Sequence, residues 1–398
     1  MPRPLHRLRF LRRLGRAARG QLEIATWRVG LESGLLEALA EPRTPAELAR
    51  ELGFELDLTA AWLRAAHAHG LLERAEGRYR RGAYARWMLE GGEAPAARAL
   101  VEQLVHGHAP TLARLPELLA GGERPVFGDD GVESQRVAAS ARISEKAALR
   151  VLHRIPGVRA ARRILDLGCG EGGYLADLLM RHLDAIGTGV EKDPAVAERA
   201  RARFRVTEVS RRAQIEQGDL LTLELPRGAF DLVLLNNNLH YFDEEERRTV
   251  LERCFDCLAP GGVLAIQTPL VLDTATARAT GSRAMLSTLD LFLRCHRNLH
   301  GLPRAAELEA RLAQLGFDRV GRRSVLSGGR AVYVWARKPE APRGGAAPAA
   351  AAAGGQEQEG ADRPPPRSWA YGSGGPLSST TLPSGSRRYI EGPKPSAP

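Results

Sequence analysis

Leu5, Leu8, Leu11 and Leu14 recur at a spacing of three, with arginines between them, which predicts an amphipathic basic helix over 5–14. Residues 21–40 carry a second helical pattern, with Leu22, Val29, Leu35, Leu36 and Leu39 turned inward. In Thr44-Pro-Ala-Glu47 a capping threonine, a first-turn proline and a reciprocal glutamate together start a helix. Asp57 is expected to cap the next one, which carries Leu58, Trp62, Leu63 and Ala66 to Gly70. Residues 71–80 read as two short strands around a turn, so the order is helix, helix, helix, hairpin, that of a winged helix. Residues 83–155 continue mostly helical. From 163 to 338 the pattern alternates between strands and helices. Strands are expected near 163–167, 186–191, 213–217, 230–236, 262–268, 317–326 and 330–337. A helix over about 243–258 stops before Pro260-Gly261-Gly262.

Beyond Pro339 the chain is mostly Ala, Gly, Pro, Ser and charge. Such a segment cannot bury enough apolar surface to offset its ordering entropy, so disorder is expected there. The resulting division is a basic N-terminal arm (1–20), a winged-helix domain (21–90), a helical linker (91–158), an α/β domain (159–338) and a disordered tail (339–398).

Charge changes this picture only at one end. Lys and Arg outnumber acids by 57 to 47, but residues 1–20 hold seven arginines and no acid. A nucleic-acid-binding fold would spread its surplus over a folded face. The arm is therefore read as a solvated helix or frayed end, with a membrane surface, an acidic partner and nucleic acid left open. The four cysteines, Cys169, Cys254, Cys257 and Cys295, are too few for a disulfide scaffold. The C-x-x-C at Cys254 and Cys257 lacks a second pair to complete a zinc site, and its setting reads as one helix face. His106 and His108, an H-x-H without acids nearby, are a weak metal signal, and no metal is expected. No apolar run reaches membrane-spanning length and no signal-peptide core is present, so a reduced, cytoplasmic setting is expected.

The chemistry concentrates at Arg163-Ile-Leu-Asp-Leu-Gly-Cys-Gly-Glu-Gly-Gly173. An apolar strand enters a glycine turn that opens a helix, and the next strand ends in an acid, Glu191. This is the layout of a nucleoside site across the ends of two parallel strands, with the acid on the ribose hydroxyls. Gly168, Gly170 and Gly173 also satisfy the dinucleotide G-x-G-x-x-G. Asp166 argues against a dinucleotide, because its charge would lie close to the pyrophosphate, whereas an ammonium-bearing ligand would welcome it. Asp219-Leu220 can border an adenine ring.

Asp166-Leu-Gly-Cys-Gly-Glu-Gly-Gly173, Glu191, Gly218-Asp-Leu220, Phe230-Asp-Leu-Val-Leu-Leu-Asn236 and Leu258-Ala-Pro-Gly-Gly262 follow the order seen in class I S-adenosylmethionine-dependent methyltransferases. The chain resembles that family over roughly 160–338. The resemblance implies a Rossmann-like seven-stranded α/β sheet with an antiparallel last strand, and S-adenosyl-L-methionine as cofactor. It implies that Gly168 and Gly170 line the methionine part, Glu191 holds the ribose, and Asp219 and Leu220 border the adenine. Asn236, Asn237 and Asn238 end the fourth strand near the ligand, and Asn236 is taken as a cofactor contact.

With its winged helix and helical linker the whole chain resembles small-molecule O-methyltransferases of the plant caffeate and bacterial polyketide type, in which the winged helix serves homodimerisation. The helix at 57–69 agrees, since Arg64 is its one arginine and a groove-reading helix needs more polar and basic side chains. In that family a His after the fourth strand is the base, and Leu239-His-Tyr-Phe-Asp-Glu-Glu-Glu246 matches it, making His240 the candidate. The family's orienting glutamate at the end of the fifth strand is replaced here by Gln267 or Thr268, neither ionised. Gln267 then orients the imidazole as a neutral partner, or the base is weak and suits an acidic phenol, an amine or a carbon acceptor. Residues 285–298 resemble the substrate-pocket helix, with Asn298 as an acceptor-binding amide and Met285, Leu289 and Phe292 as walls. The function implied is methyl transfer to a small-molecule hydroxyl. The alternatives are an N- or C-methyltransferase and a non-catalytic module binding nucleic acid.

Overall fold

Strand β3 (Arg163–Leu167) starts in the middle of a sheet, and the chain winds outward from it in both directions. β4 (Ile186–Glu191) and β5 (Ala213–Gln217) are laid down on one side, and β6 (Phe230–Asn236) and β7 (Leu258–Thr268) on the other. All of these pair in parallel. β8 (Arg319–Ser324) takes the outer edge, and β9 (Val332–Arg337) inserts between β7 and β8, antiparallel to both. The order is β5-β4-β3-β6-β7-β9-β8. The reversal of winding at β3 leaves a crevice at the carboxyl ends of β3, β4 and β6, where ligands bind in open α/β sheets. The computed structural model describes residues 4–128, 132–271, 283–325 and 331–340. The expected disordered tail therefore lies outside the described residues, apart from its first two positions.

The alternation along β3 assigns its side chains to two cores. Leu165 and Leu167 join a cluster with Val233, Leu235, Val250, Leu251 and Leu308, under the helices Glu244–Cys257 and Ala305–Gln314. Ile164 joins the opposite cluster with Ala148, Leu149, Leu152, Leu175 and Leu179, supplied by the helices Val132–Leu152 and Gly173–Arg181. Strand periodicity puts Asp166 on this second side with Ile164. The helix before the sheet thus covers the face from which Asp166 projects.

The N-terminal domain is helices Leu35–Ala38, Pro45–Leu52 and Leu56–Ala68 with the hairpin β1 (Leu72–Ala75) and β2 (Arg78–Arg81). Its core holds Leu36, Leu39, Leu48, Leu63, Leu71 and Tyr79. Thr44 caps as the sequence indicates: its Oγ1 accepts from the Glu47 amide at 3.3 Å, and Glu47 accepts from the Thr44 amide at 2.8 Å. Two expectations are corrected. The helices of 5–14 and 21–40 are one helix, Pro4–Glu32, that ends at Ser33 and left-handed Gly34. Gly15 and Gly20 do not break it, because an isolated glycine costs only about 1 kcal/mol among good helix formers. Glu55, without a side-chain bond, occupies the position expected for Asp57, which falls inside the first turn.

All four cysteines are buried free thiols. Cys257 Sγ donates to the Cys254 carbonyl at 3.4 Å within one helix. Among the described residues no helix is long and apolar enough to cross a membrane, and no cluster of His, Cys, Asp and Glu could hold a metal.

Candidate active site

The turn after β3 is held open by its glycines. Gly168 and Gly170 have φ of +64° and +56°, values that side-chain-bearing residues rarely adopt. A Cβ on Gly168 would lie 2.5 Å from Asn238 Nδ2, whereas one on Gly170 would meet nothing within 4 Å. Gly170 therefore faces space, and the space is a cavity of about 710 Å³ at the crevice. That lies within the range of small-molecule sites.

Among the residues singled out from sequence, Asp166, Gly168, Gly170, Gly173, Glu191, Asp219, Leu220, Asn236, Asn237, Asn238 and Asn298 line this cavity. Glu191 accepts from the amides of Gly170 at 2.9 Å and Asp193 at 3.0 Å. These bonds fix it at the mouth of the turn with lone pairs to spare. Asp219 accepts from the Leu221 amide at 2.9 Å and pairs with Lys192 Nζ at 2.8 Å. Although burial opposes it, the lysine ammonium and the amide hold the Asp219 carboxyl below its usual range.

Asp166 is different. Its side chain is 1% exposed and neither oxygen has a hydrogen-bond partner. Burial first, then the nearby Glu145 and Glu191 carboxylates, push its pKa up to about 8. An unpaired buried carboxylate is costly. Asn236 Nδ2 is likewise buried and unpaired, while its Oδ1 accepts from Tyr333 at 3.4 Å. These groups fit a ligand that is cationic, bears hydrogen-bond acceptors and is about the size of a nucleoside. The expected cofactor meets that description.

The structure does not bring His240, Gln267, Met285, Leu289 or Phe292 to the cavity wall. His240 lies on the short turn Leu239–Tyr241, between the lining residues Asn238 and Tyr241, but is not itself a lining residue. Its Nδ1 is buried without a partner. Burial and the Arg247 guanidinium push its pKa down to about 4. Arg247 also fixes this turn, donating to the Leu239 carbonyl at 2.7 Å. Gln267 is fully buried, and its Oε1 accepts from the Tyr174 hydroxyl at 2.6 Å, so it anchors Tyr174 instead of facing an acceptor or orienting the imidazole. Met285 is 44% exposed on its helix. Asn298 does line the cavity, but both ends of its amide are occupied: it accepts from the Phe127 amide at 2.7 Å and donates to the Phe127 carbonyl at 3.0 Å. It clamps the linker with one N–H and one lone pair, and keeps a second of each. His106 pairs with Glu32 at 2.7 Å, and His108 packs on Phe292 with its Nε2 buried and unpaired.

Sequence reasoning missed Glu145, Tyr174, Tyr241 and Arg203, all of which line the cavity. Glu145 had a visible signal. It falls on the stripe of Ala138, Ala141, Ala148 and Leu152, where a helix covering a core should carry no acid.

Residues 164–262 match the model of a methyltransferase domain. The chain is 30% identical over 280 residues to the 3-hydroxy-5-methyl-1-naphthoate 3-O-methyltransferase of Streptomyces sahachiroi, covering 64% of this chain and 76% of that protein. It is 39% identical over 130 residues to the aclacinomycin 10-hydroxylase of Streptomyces purpurascens, about a third of each chain. An O-methyltransferase family protein from Burkholderia thailandensis superposes with a TM-score of 0.71 over 83% of this chain and 98% of its own, at 24% identity.

Proposed function

The chain belongs to the class I S-adenosylmethionine-dependent methyltransferases, and we propose that it methylates a hydroxyl oxygen of an aromatic or polyketide-like small molecule. The observation that carries this reading is the mixed lining of one cavity. Asp166, Glu191 and Asp219 line it together with the glycine turn, and so do Phe127, Tyr241 and Phe242. The acids suit a cationic nucleoside, and the aromatic rings suit a flat, apolar acceptor. The naphthoate relative acts on an acceptor of that kind.

In this reading Gly168 and Gly170 hold the methionine part by backbone, Glu191 the ribose, and Asp219 and Leu220 the adenine, with Asn236 Nδ2 as a further donor. Bound there, S-adenosylmethionine supplies an electrophilic methyl group. What the chain adds is alignment and the exclusion of water, which can account for much of a transfer rate. His240 receives the acceptor's proton. With its pKa near 4 the imidazole is neutral at physiological pH but weakly basic. An ordinary phenol has a pKa near 10, so a weak base of this kind suits an already acidic hydroxyl. The absence of a carboxylate beside His240 among the described residues favours one second reading, an amine or carbon acceptor that needs little base.

The N-terminal domain exposes Phe54, Leu56, Leu58, Tyr84 and Trp87, which supports a homodimer through the winged helix. Purified protein incubated with labelled S-adenosylmethionine and a panel of hydroxylated, aminated and carbon-acidic aromatics tests the proposal. Transfer to oxygen is expected, and transfer only to nitrogen or carbon refutes it. Light scattering on the same sample tests the dimer. A salt-dependent shift of duplex DNA without any methyl transfer would support the non-catalytic alternative.

A further inference from the structure

We propose that Glu145 is a cofactor-selecting residue: from the helix before the sheet, its carboxylate meets the ammonium of the nucleoside's amino-acid group. Arg142 and Arg203 face the α-carboxylate of the same group. This rests on the proposed binding of S-adenosylmethionine in the cavity and adds a recognition element from outside the glycine turn.

Glu145 lies on the helix Val132–Leu152, one turn before the buried Ala148 and Leu149 that pack on the sheet. Its carboxylate rests against the start of the helix Gly173–Arg181, because a Cβ on Gly173 would stand 2.3 Å from its Oε1. With glycine at this first helical position the Glu145 carboxylate can approach the helix start without moving aside. Glu145, Asp166, Arg142 and Arg203 all line the one cavity. Among the described residues Glu145 has no hydrogen-bond or salt-bridge partner, although the charges of Arg203 and Arg142 act on it.

Burial raises the Glu145 pKa, and Glu145 is in turn the largest charge acting on Asp166. Two acids lining one cavity, one of them buried and acted on by the other's charge, favour a cation beside them. Asn236 Nδ2, buried and unpaired at the same cavity, is an independent donor available to a ligand. The two arginines beside the acids make the cavity complementary to a zwitterion. An ammonium and a carboxylate on one carbon satisfy both signs, while a nucleoside lacking the amino acid satisfies neither.

Calorimetric titration of the full chain with S-adenosylhomocysteine and with methylthioadenosine, which shares the nucleoside but lacks the amino acid, tests the assignment. Glu145→Gln, of the same shape, should weaken S-adenosylhomocysteine at least tenfold and change methylthioadenosine less than twofold. Arg203→Gln should show the same selectivity. Equal losses for both ligands, or no loss for S-adenosylhomocysteine, overturn the proposal. If wild-type protein binds neither, the underlying cofactor reading falls as well. If wild type binds both and Glu145→Gln matches it, the Glu145 assignment alone falls.

Discussion

Replacing Asp166 by Asn should make the ligand-free protein more stable while weakening its hold on the cofactor. Asp166 has a pKa of about 8 in the fold, against an ordinary 3.8. Between those values the folded protein keeps a proton that the unfolded chain has released. Stability therefore falls as pH rises through that window, levels off above about 8, and is unaffected by this group below about 4. At 1.36 kcal/mol per unit, the interval from 3.8 to pH 7 corresponds to roughly 4 kcal/mol of destabilisation. Asn keeps the shape and the burial but cannot ionise, so it removes this penalty.

Denaturant unfolding of wild type and Asp166→Asn at several pH values isolates the group, because the other titrations cancel in the difference. The variant's advantage should grow by about 1.4 kcal/mol per pH unit between pH 5 and 7. Affinity for S-adenosylhomocysteine should fall in the same variant, so that saturating ligand reverses the order of stability. An advantage that stays flat across pH, or a variant less stable than wild type at pH 7, would refute the reasoning.

His240→Ala should lower turnover at least about 100-fold and leave S-adenosylhomocysteine affinity within about twofold; normal turnover removes His240 from the reaction. Because the neutral imidazole is the active form and its pKa is near 4, kcat/KM should lose no activity to this group as pH falls from 7 to 5.5, and a limb near 6.5 would contradict the assignment. Asn298→Ala frees both polar groups of Phe127 and should raise the acceptor KM more than the cofactor Kd, whereas an equal effect on both argues against a clamp. Thr44→Ala removes one half of the capping box and should cost the N-terminal domain about 1 kcal/mol, seen as a lower midpoint in thermal unfolding.

The α/β half was legible because its signals are local. Strand runs, the glycine turn and the acid ending β4 each depend on a few adjacent residues. The same locality explains the misreadings. The patterns over 5–14 and 21–40 read as separate helices, although the cost of Gly15 and Gly20 between them is small beside the length of the single helix. Asn298 matches a substrate-binding position, but its amide is occupied by Phe127, more than 160 residues away. Gln267 ends β7 where expected, yet Tyr174 from another helix takes its side chain. The environment of His240 depends on Arg247, which comes from the following helix and holds the Leu239 carbonyl. Glu145 belongs to a helix outside the α/β pattern, and no local motif ties it to the glycine turn.

The four buried thiols turn the chain into its own chemical reporter. Burial raises the pKa of each, to about 12 for Cys257 and well above the ordinary range for Cys169 and Cys254, so little reactive thiolate forms near neutral pH. A thiol reagent added to the native protein should react slowly, with Cys169, which lines the cavity, the most approachable of the four. Its slow uptake then counts openings of the fold, and Cys169, in the glycine turn itself, registers whether that turn breathes.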